Sequence, residues 1–300
     1  MTAAPALSVV VPSVNHDPVL FECLEALGRD ESAGTPLEII VVDRCGDDWR
    51  RTIAERYPAV RVLAAAPGTS IPAMRAAAFA RARADAVAVI EDHVIVPAGW
   101  ARQMREALAS GAGAAGGTVR NAATGATADW AVFLCEYSHL LAPRPAGDAD
   151  TLTGNNVVYR RALLERYAGA LAEGRWEDHL HAVMRRDGVR LAHRPDIVVW
   201  HKMHYRVRDY VSQRYLYSRM YAGLRASDLT AAGRALRAAL SVALPPVLLA
   251  RIVGRTLVAG GHGAVLARSL PLLFLFVCAW AAGEAVGYAA GAGDAPGRVK

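Results

Sequence analysis

LSVVVPSVN, residues 7–15, opens a series of short β-branched runs on which the fold turns. LEIIVV at 37–42, VRVLAA at 60–65 and AVAVI at 86–90 continue the series. Helical patterns lie between them at 19–28, 48–57 and 72–84, the last with Pro72 near its first turn, where its missing N–H is tolerated. Strands that are apolar on both faces and joined by helices predict βαβ units. The expected fold is α/β, a mostly parallel sheet flanked by helices. In such sheets ligands bind beyond the carboxyl ends of the strands. Three of those ends are polar here: Pro12-Ser13-Val14-Asn15, Asp43-Arg44 and Glu91-Asp92-His93.

Further along, the pattern loosens. Residues 97–110 and 129–141 read as helices, 118–120 as a strand, and 142–150 (APRPAGDAD) as a mobile loop. Strands are expected at 157–159 and 197–200, with a helix near 178–186 between them. From 207 to 226 the chain is rich in Arg and Tyr. Arg206, Arg214, Tyr217 and Tyr221 fall near helical spacing, which suits a helix lying on lipid headgroups, an ordinary solvated helix being the alternative. Residues 238–250 are apolar but fall short of the ~20 residues of an unassisted membrane span. Residues 269–293 contain one acid, Glu284, and make the better spanning candidate. The organisation expected is a catalytic domain over 1–205, a basic amphipathic region over 206–237, apolar membrane-associated helices over 238–293, and a tail over 294–300.

Charge follows the same division. From His201 onward thirteen Lys and Arg face four acids, a net +9, leaving −3 on residues 1–200. A basic segment merging into apolar runs points to an anionic membrane surface, and no nucleic-acid motif accompanies it. With 53% hydrophobic and 21% charged residues the chain is neither disordered nor collagen-like. Four dispersed cysteines without a CxxC pair argue against a disulfide scaffold or a thiolate zinc site. The apolar N-terminal run lacks a basic segment before it and reads as a first strand rather than a signal peptide. Nothing in the sequence bears on oligomeric state.

Several constellations have the residue types for chemistry. Gly111-Ala-Gly113-Ala-Ala-Gly116 matches GxGxxG, but a helix precedes it and a strand follows, the reverse of the order that places a helix N-terminus on a pyrophosphate. Glu91, Asp92 and His93 close the fourth strand. Two acids and an imidazole there suit a divalent cation held against a diphosphate, Mn²⁺ or Mg²⁺; a solvated loop capping the next helix is the plain alternative. Glu177-Asp178 stands at a helix start, where Asp178 is either an N-cap or a general base kept ionised by the helix end. His201 after the strand at 197–200 either completes a metal site or bonds a backbone carbonyl. Asp43 either accepts from a nucleobase edge or caps the turn at Asp47-Asp48. Arg75 and Lys202 are candidates for phosphate charge or ordinary surface residues.

Taken in order over residues 7–225, these segments resemble glycosyltransferase family 2, inverting enzymes with a GT-A fold, and in particular its membrane-associated bacterial members. VVVPSVN is similar to the family's opening strand and loop, EIIVVDRCGDD to its "IIVVDDGS" segment, and VAVIEDH to its "DxD" metal motif. TGNNVVYRRALLE resembles "GANMAFRR.AL", GRWEDHLHAVMRRDG resembles the "GED.DL..R" base segment, and IPAMRAAAFA keeps the arginine of the "ARN.G" helix without its Asn and Gly. The resemblance implies that Pro12, Ser13, Asn15 and Asp43 line a nucleoside pocket and that Arg75 lies near the base or diphosphate. It implies that Glu91 and Asp92 address ribose and diphosphate, with His93 as metal ligand and His201 as an additional one. Gly154, Asn155 and Asn156 would border the donor sugar, and Asp178, beside Glu177, would be the catalytic base. The implied activity is transfer from a nucleoside-diphosphate sugar to a lipid-linked or polysaccharide acceptor at the cytoplasmic face of a membrane. "EDH" in place of "DDD" and the missing Asn and Gly keep a second expectation open, a membrane-tethered nucleotide-sugar-binding scaffold with a degenerate site. A nucleotidyltransferase, releasing pyrophosphate, is a third.

Overall fold

In the computed structural model, residues 4–141 and 144–299 are described. They fall into two compact units. The first runs to Arg120 and resumes over Arg144–Lys202; the second takes residues 121–141 and the chain from Met203. The catalytic stretch expected as continuous over 1–205 is thus interrupted by an excursion into the second unit.

The first unit opens as the apolar runs dictate: β1 (Leu7–Ser13), α1 (Val19–Ser32), β2 (Leu37–Asp43), α2 (Asp47–Arg56), β3 (Arg61–Ala64), α3 (Ile71–Phe79) and β4 (Ala86–Val89). Every residue of β1 is buried, and Val9 and Val10 stand opposite Ile39 and Ile40 of β2. Helix α3 starts because Ser70 accepts from the Ala73 N–H and Pro72 sits at its first positions. The chain continues through β5 (Val94–Ile95), α4 (Trp100–Ala109) and β6 (Ala114–Asn121). It leaves for α5 (Thr127–Tyr137), and returns as β7 (Gly147–Asp148), β8 (Val157–Arg160), α6 (Arg161–Arg166), α7 (Ala168–Ala172), α8 (Glu177–Arg186) and β9 (Leu191–His201).

The sheet order is β3-β2-β1-β4-β8-β6-β9-β5, with β7 also on β9. Parallel pairing is confined to β3-β2-β1-β4; β4 with β8, β8 with β6, and β9 with β5 and β7 are antiparallel. The sheet is mixed because the strand–helix alternation that enforces parallel crossovers ends at β4. Val10, Ile40, Met74, Val87, Tyr159 and Met184 belong to one core beneath it. Of the stretch expected to be a mobile loop, residues 142 and 143 lie outside the described residues, and Gly147–Asp148 is a strand bonded to β9. The glycines of the GxGxxG match serve packing. A Cβ on Gly113 would press on Val189 and Leu163, and one on Gly116 would meet the Asn156 carbonyl.

The second unit combines α5 with α9 (Val207–Ala226), α10 (Ala231–Leu240), α11 (Leu244–Ala259), α12 (Gly263–Ala290) and α13 (Ala295–Arg298). Its core joins Ala131, Leu134, Tyr210, Ile252, Leu273 and Phe276. The short run at 238–250 sits within a helical path from Ala231 to Ala259, and a second runs from Gly263 to Ala290. Both are long and apolar enough to cross a membrane by length and composition. Arg214, expected on a headgroup-facing surface of α9, is instead buried. Its guanidinium lies 4.4 Å from the Tyr217 ring centroid and 4.3 Å from that of Trp280, and 3.6 Å from Glu136. Burial beside a carboxylate and two aromatic faces satisfies a charge that its spacing alone would leave in solvent.

Candidate active site

Glu91-Asp92-His93 follow the end of β4 and β9 ends in His201, and the antiparallel pairing of Val94 with His201 brings them together. His93 Nε2 lies 2.9 Å from His201 Nε2 and 3.3 Å from Glu91 Oε2, which is 3.7 Å from His201 Nε2. Among the described residues these three form a group able to hold a metal ion. Ligand atoms about 2.1–2.2 Å from one ion, at angles of roughly 90–110°, stand about 3.0–3.6 Å apart, so the donor set fits a divalent cation. Without one, two imidazole nitrogens 2.9 Å apart need a proton between them.

The surroundings assign that proton. Burial disfavours the charged form of His93, but bonds to Asp92 and Glu91 and the charge of both carboxylates outweigh it and carry its pKa up to about 10. Burial lowers that of His201 to about 3, and the positive His93 adds to the effect, Glu91 opposing. Burial alone would raise Glu91; the bond from His93 and the charges of His93, His201 and Arg75 bring it down to about 2.

Asp92 is not a member of the converging group. Its Oδ1 is 2.8 Å from His93 Nδ1, and its Oδ2 accepts from the Val14 N–H at 3.4 Å. It orients the imidazole, the usual part of a carboxylate behind a metal-binding histidine. Asp92, expected as a direct ligand, stands behind His93 in this arrangement. Asn155, 1% exposed, donates from Nδ2 to Glu91 Oε2 at 3.2 Å and fixes that carboxylate.

A second cluster adjoins Asn155. Arg75 Nη1 donates to Glu177 Oε2 at 2.9 Å, and the Gly154 N–H donates to Glu177 Oε1 at 3.0 Å. A Cβ on Gly154 would stand 2.6 Å from Arg75 Nη1, so a larger residue would push the Arg75–Glu177 pair aside. The Arg75 guanidinium lies 5.5 Å from the Trp176 ring centroid. Pro72, Arg75, Gly154, Tyr159, Trp176 and Glu177 line a cavity beside it. Both Glu177 oxygens are engaged, which suits anchoring rather than proton transfer. Arg75, expected near the base or diphosphate, is paired with Glu177 and its charge also acts on Glu91. Asp178 is exposed on the first turn of α8.

The nucleoside edge departs further from expectation. Asp43 is fully buried; Oδ1 accepts from Ser13 Oγ at 3.0 Å, and Oδ2 from the Cys45 and Gly46 N–H groups and Arg50 Nη1 at 3.1–3.2 Å. With its acceptors filled it caps the turn, the second of its two sequence readings. Ser13 in turn accepts from Trp49 Nε1 at 3.1 Å, and Pro12 is buried within β1. The residues left near that edge are Asn15, whose Oδ1 is buried and unbonded, and His16, edge-on to Trp49 at 5.5 Å with a left-handed φ of 54°. Asn156 also moves from site to scaffold. It accepts from Trp100 Nε1 at 3.0 Å and donates to the Thr118 and Ile197 carbonyls at 3.0 Å each, tying α4, β6 and β9 together.

Trp49, Arg50, Trp176 and the buried pair Tyr159–His181, bonded at 2.8 Å, escaped the sequence reading. Arg50 and Trp49 were findable: each stands one turn or less into a helix behind the Asp43 turn.

Residues 5–215 match the family model described as glycosyltransferase-like family 2. No curated protein matches the chain. Among solved structures, the mannosyltransferase PcManGT from Pyrobaculum calidifontis, in complex with GDP-Man and Mn²⁺, is 20% identical, with a TM-score of 0.55. That likeness covers 94% of this chain and 88% of that one. TarS 1–349 from S. aureus is 16% identical with a TM-score of 0.50, covering 69% of this chain and 63% of that one, so the chain spans about three fifths of its length. At these identities the likeness is one of fold.

Proposed function

The chain belongs to the glycosyltransferase-like family 2, and on that footing we propose that it moves a sugar, with inversion, from a nucleoside-diphosphate sugar to a lipid-linked or polysaccharide acceptor. The observation that carries the reading is the convergence of Glu91, His93 and His201 at the carboxyl end of β4, where a sheet of this kind binds its ligand. These three side chains would hold Mn²⁺ or Mg²⁺. Held there, a cation would neutralise charge gathering on the departing nucleoside diphosphate.

The chain's own residues do the rest. Asp92 keeps the His93 ring turned so that Nε2 faces His201, and Asn155 holds Glu91 toward the same point. Arg75 adds positive charge within reach of Glu91 while Glu177 pins it. Asp178, one residue beyond that anchor and exposed at the N-terminal turn of α8, takes the proton of the acceptor hydroxyl as its oxygen attacks the anomeric carbon opposite the leaving group. No covalent intermediate is required. The basic, apolar second unit supports membrane association, with the catalytic unit on the cytoplasmic face.

The test is release of nucleoside diphosphate from a panel of nucleotide sugars, with Mn²⁺, Mg²⁺ or chelator, and the anomeric configuration of the product by NMR. Cation-dependent release with inverted product is expected. Donor binding without release under every metal condition would identify a scaffold instead, and a product of retained configuration would remove Asp178 from its role.

A further inference from the structure

We propose that the second unit rests in the plane of one leaflet of an anionic membrane and that neither of its long apolar helices crosses the bilayer. The proposal rests on the membrane reading above and gives it a topology.

The argument starts from what α12 already touches. A crossing helix turns its surface to lipid or to other crossing helices. Helix α12 gives one side to α9, in parallel register and backbone to backbone. Tyr210 and Phe276 lie with ring centroids 4.4 Å apart. A Cβ on Gly283 would overlap the Tyr215 carbonyl, and one on Gly287 would stand 2.5 Å from the Arg219 carbonyl. Gly223 of α9 is packed as closely against Ala292. Over this whole length α12 cannot enter hydrocarbon without α9. Helix α9, however, carries charge along its whole length: exposed Arg208 and Asp209 at its start, Arg214 and Arg219 in its middle turns, and exposed Arg225 near its end. Charges carried into the bilayer in this way are strongly unfavourable.

The charge-free stretches are shorter than the helices that carry them: residues 238–250 span about 20 Å and 269–283 about 22 Å, against a hydrocarbon core of about 30 Å. What remains exposed suits a leaflet surface. Leu270, Phe274 and Leu275 stand out on the side of α12 turned away from α9, at 38%, 55% and 42% exposure. On α10 and α11, exposed Leu236, Leu240 and Val258 alternate with exposed Arg237, Arg251 and Arg255. Arginines among leucines bury their stems at a headgroup boundary and keep their charge at anionic lipid. The occupant of this face is therefore an anionic bilayer entered to the depth of its side chains.

The test uses the full chain, with Cys45 and Cys278 replaced by serine and one cysteine added at Ala54, Ala264 or Ala290, all exposed positions. Buried Cys23 and Cys135 stay, and their silence reports that each variant is folded. Sealed membrane vesicles from expressing cells are treated with a bulky impermeant maleimide. The in-plane arrangement predicts that all three added cysteines label to the same extent, within about twofold, from the same side. Shielding of Ala264→Cys alone would mean a crossing hairpin, and opposite sides for Ala264→Cys and Ala290→Cys a single crossing; either overturns the proposal. Partition of the purified chain into vesicles of phosphatidylcholine with phosphatidylglycerol is measured in parallel, and Phe274→Asp with Leu275→Asp should lower it at least about tenfold. No partition at any composition overturns the membrane reading itself. Partition together with one-sided shielding overturns only the topology.

Discussion

Two carboxylate clusters lie at the ends of β2 and β4, the parallel strands on either side of β1, and they are built to opposite ends. At the end of β2, Asp43 accepts from Ser13, two backbone N–H groups and Arg50, and is fully buried. At the end of β4, Glu91 and two imidazoles point ligand atoms at one another, with 2.9 Å between nitrogens. The first cluster is complete as it stands; the second needs a proton or a cation to exist. The difference teaches that a carboxylate at a strand end is a site only where the chain leaves its electrostatics unfinished.

The largest expected effect tests which acid in the Glu177-Asp178 pair works on the proton. Glu177 has both oxygens committed to Arg75 and Gly154, while Asp178 is exposed beside it. Asp178→Asn should cut turnover by about 10²–10⁴-fold with donor affinity nearly unchanged. Equal activity in that variant, with loss in Glu177→Gln at unchanged donor affinity and stability, would reverse the assignment.

A smaller effect probes the unfinished cluster by pH. The raised pKa of His93, about 10, means that the metal-free fold holds a proton there throughout the neutral range. Relative to an unfolded imidazole near 6.5, that proton contributes stability in full below about pH 6.5, and the contribution is lost as pH rises through about 10. A cation must displace it. Metal affinity should therefore climb about tenfold per pH unit across the neutral range, with close to one proton released per ion. Calorimetry in buffers of different ionisation enthalpy counts that proton. Affinity flat with pH would show that His93 does not exchange its proton for the metal.

Much of this was legible in the residues, for a physical reason. The β-branched runs of β1, β2 and β4 are buried on both faces, so they carry an apolar signal without interruption, and strand ends can be read directly from where it stops. Glu91, His93 and His201 were legible as chemistry for the same reason, and Asn155 only through the family resemblance. What the sequence did not disclose was satisfaction. Asp43 and Asn156 look like site residues by type and position, and only the fold shows Arg50 and Trp100 already bonded to them. Arg214 fails in the same way, since its partners Glu136 and Trp280 lie 78 residues before it and 66 after. The antiparallel half of the sheet was hidden because short strands such as Val94–Ile95 carry too few residues for a period.

Adjacent asparagines give the finest version of the contrast, because they differ in partners and not in type. Asn156 bonds Trp100, Thr118 and Ile197, all scaffold; Asn155 bonds Glu91 across the site. Asn156→Ala strands one buried indole donor and two carbonyls. It should cost about 2–4 kcal/mol in urea unfolding, at roughly 1–3 kcal/mol for each group that finds no water. Asn155→Ala removes one bond from a carboxylate that His93 and His201 still face, and Glu91 gains freedom instead of losing solvation. Its metal affinity should fall by about threefold to tenfold, with stability within about 1 kcal/mol of the parent. If the two variants lose stability alike and bind metal alike, the boundary between finished and unfinished polar clusters does not run between residues 155 and 156, and Glu91 is held by the cation site's own histidines alone.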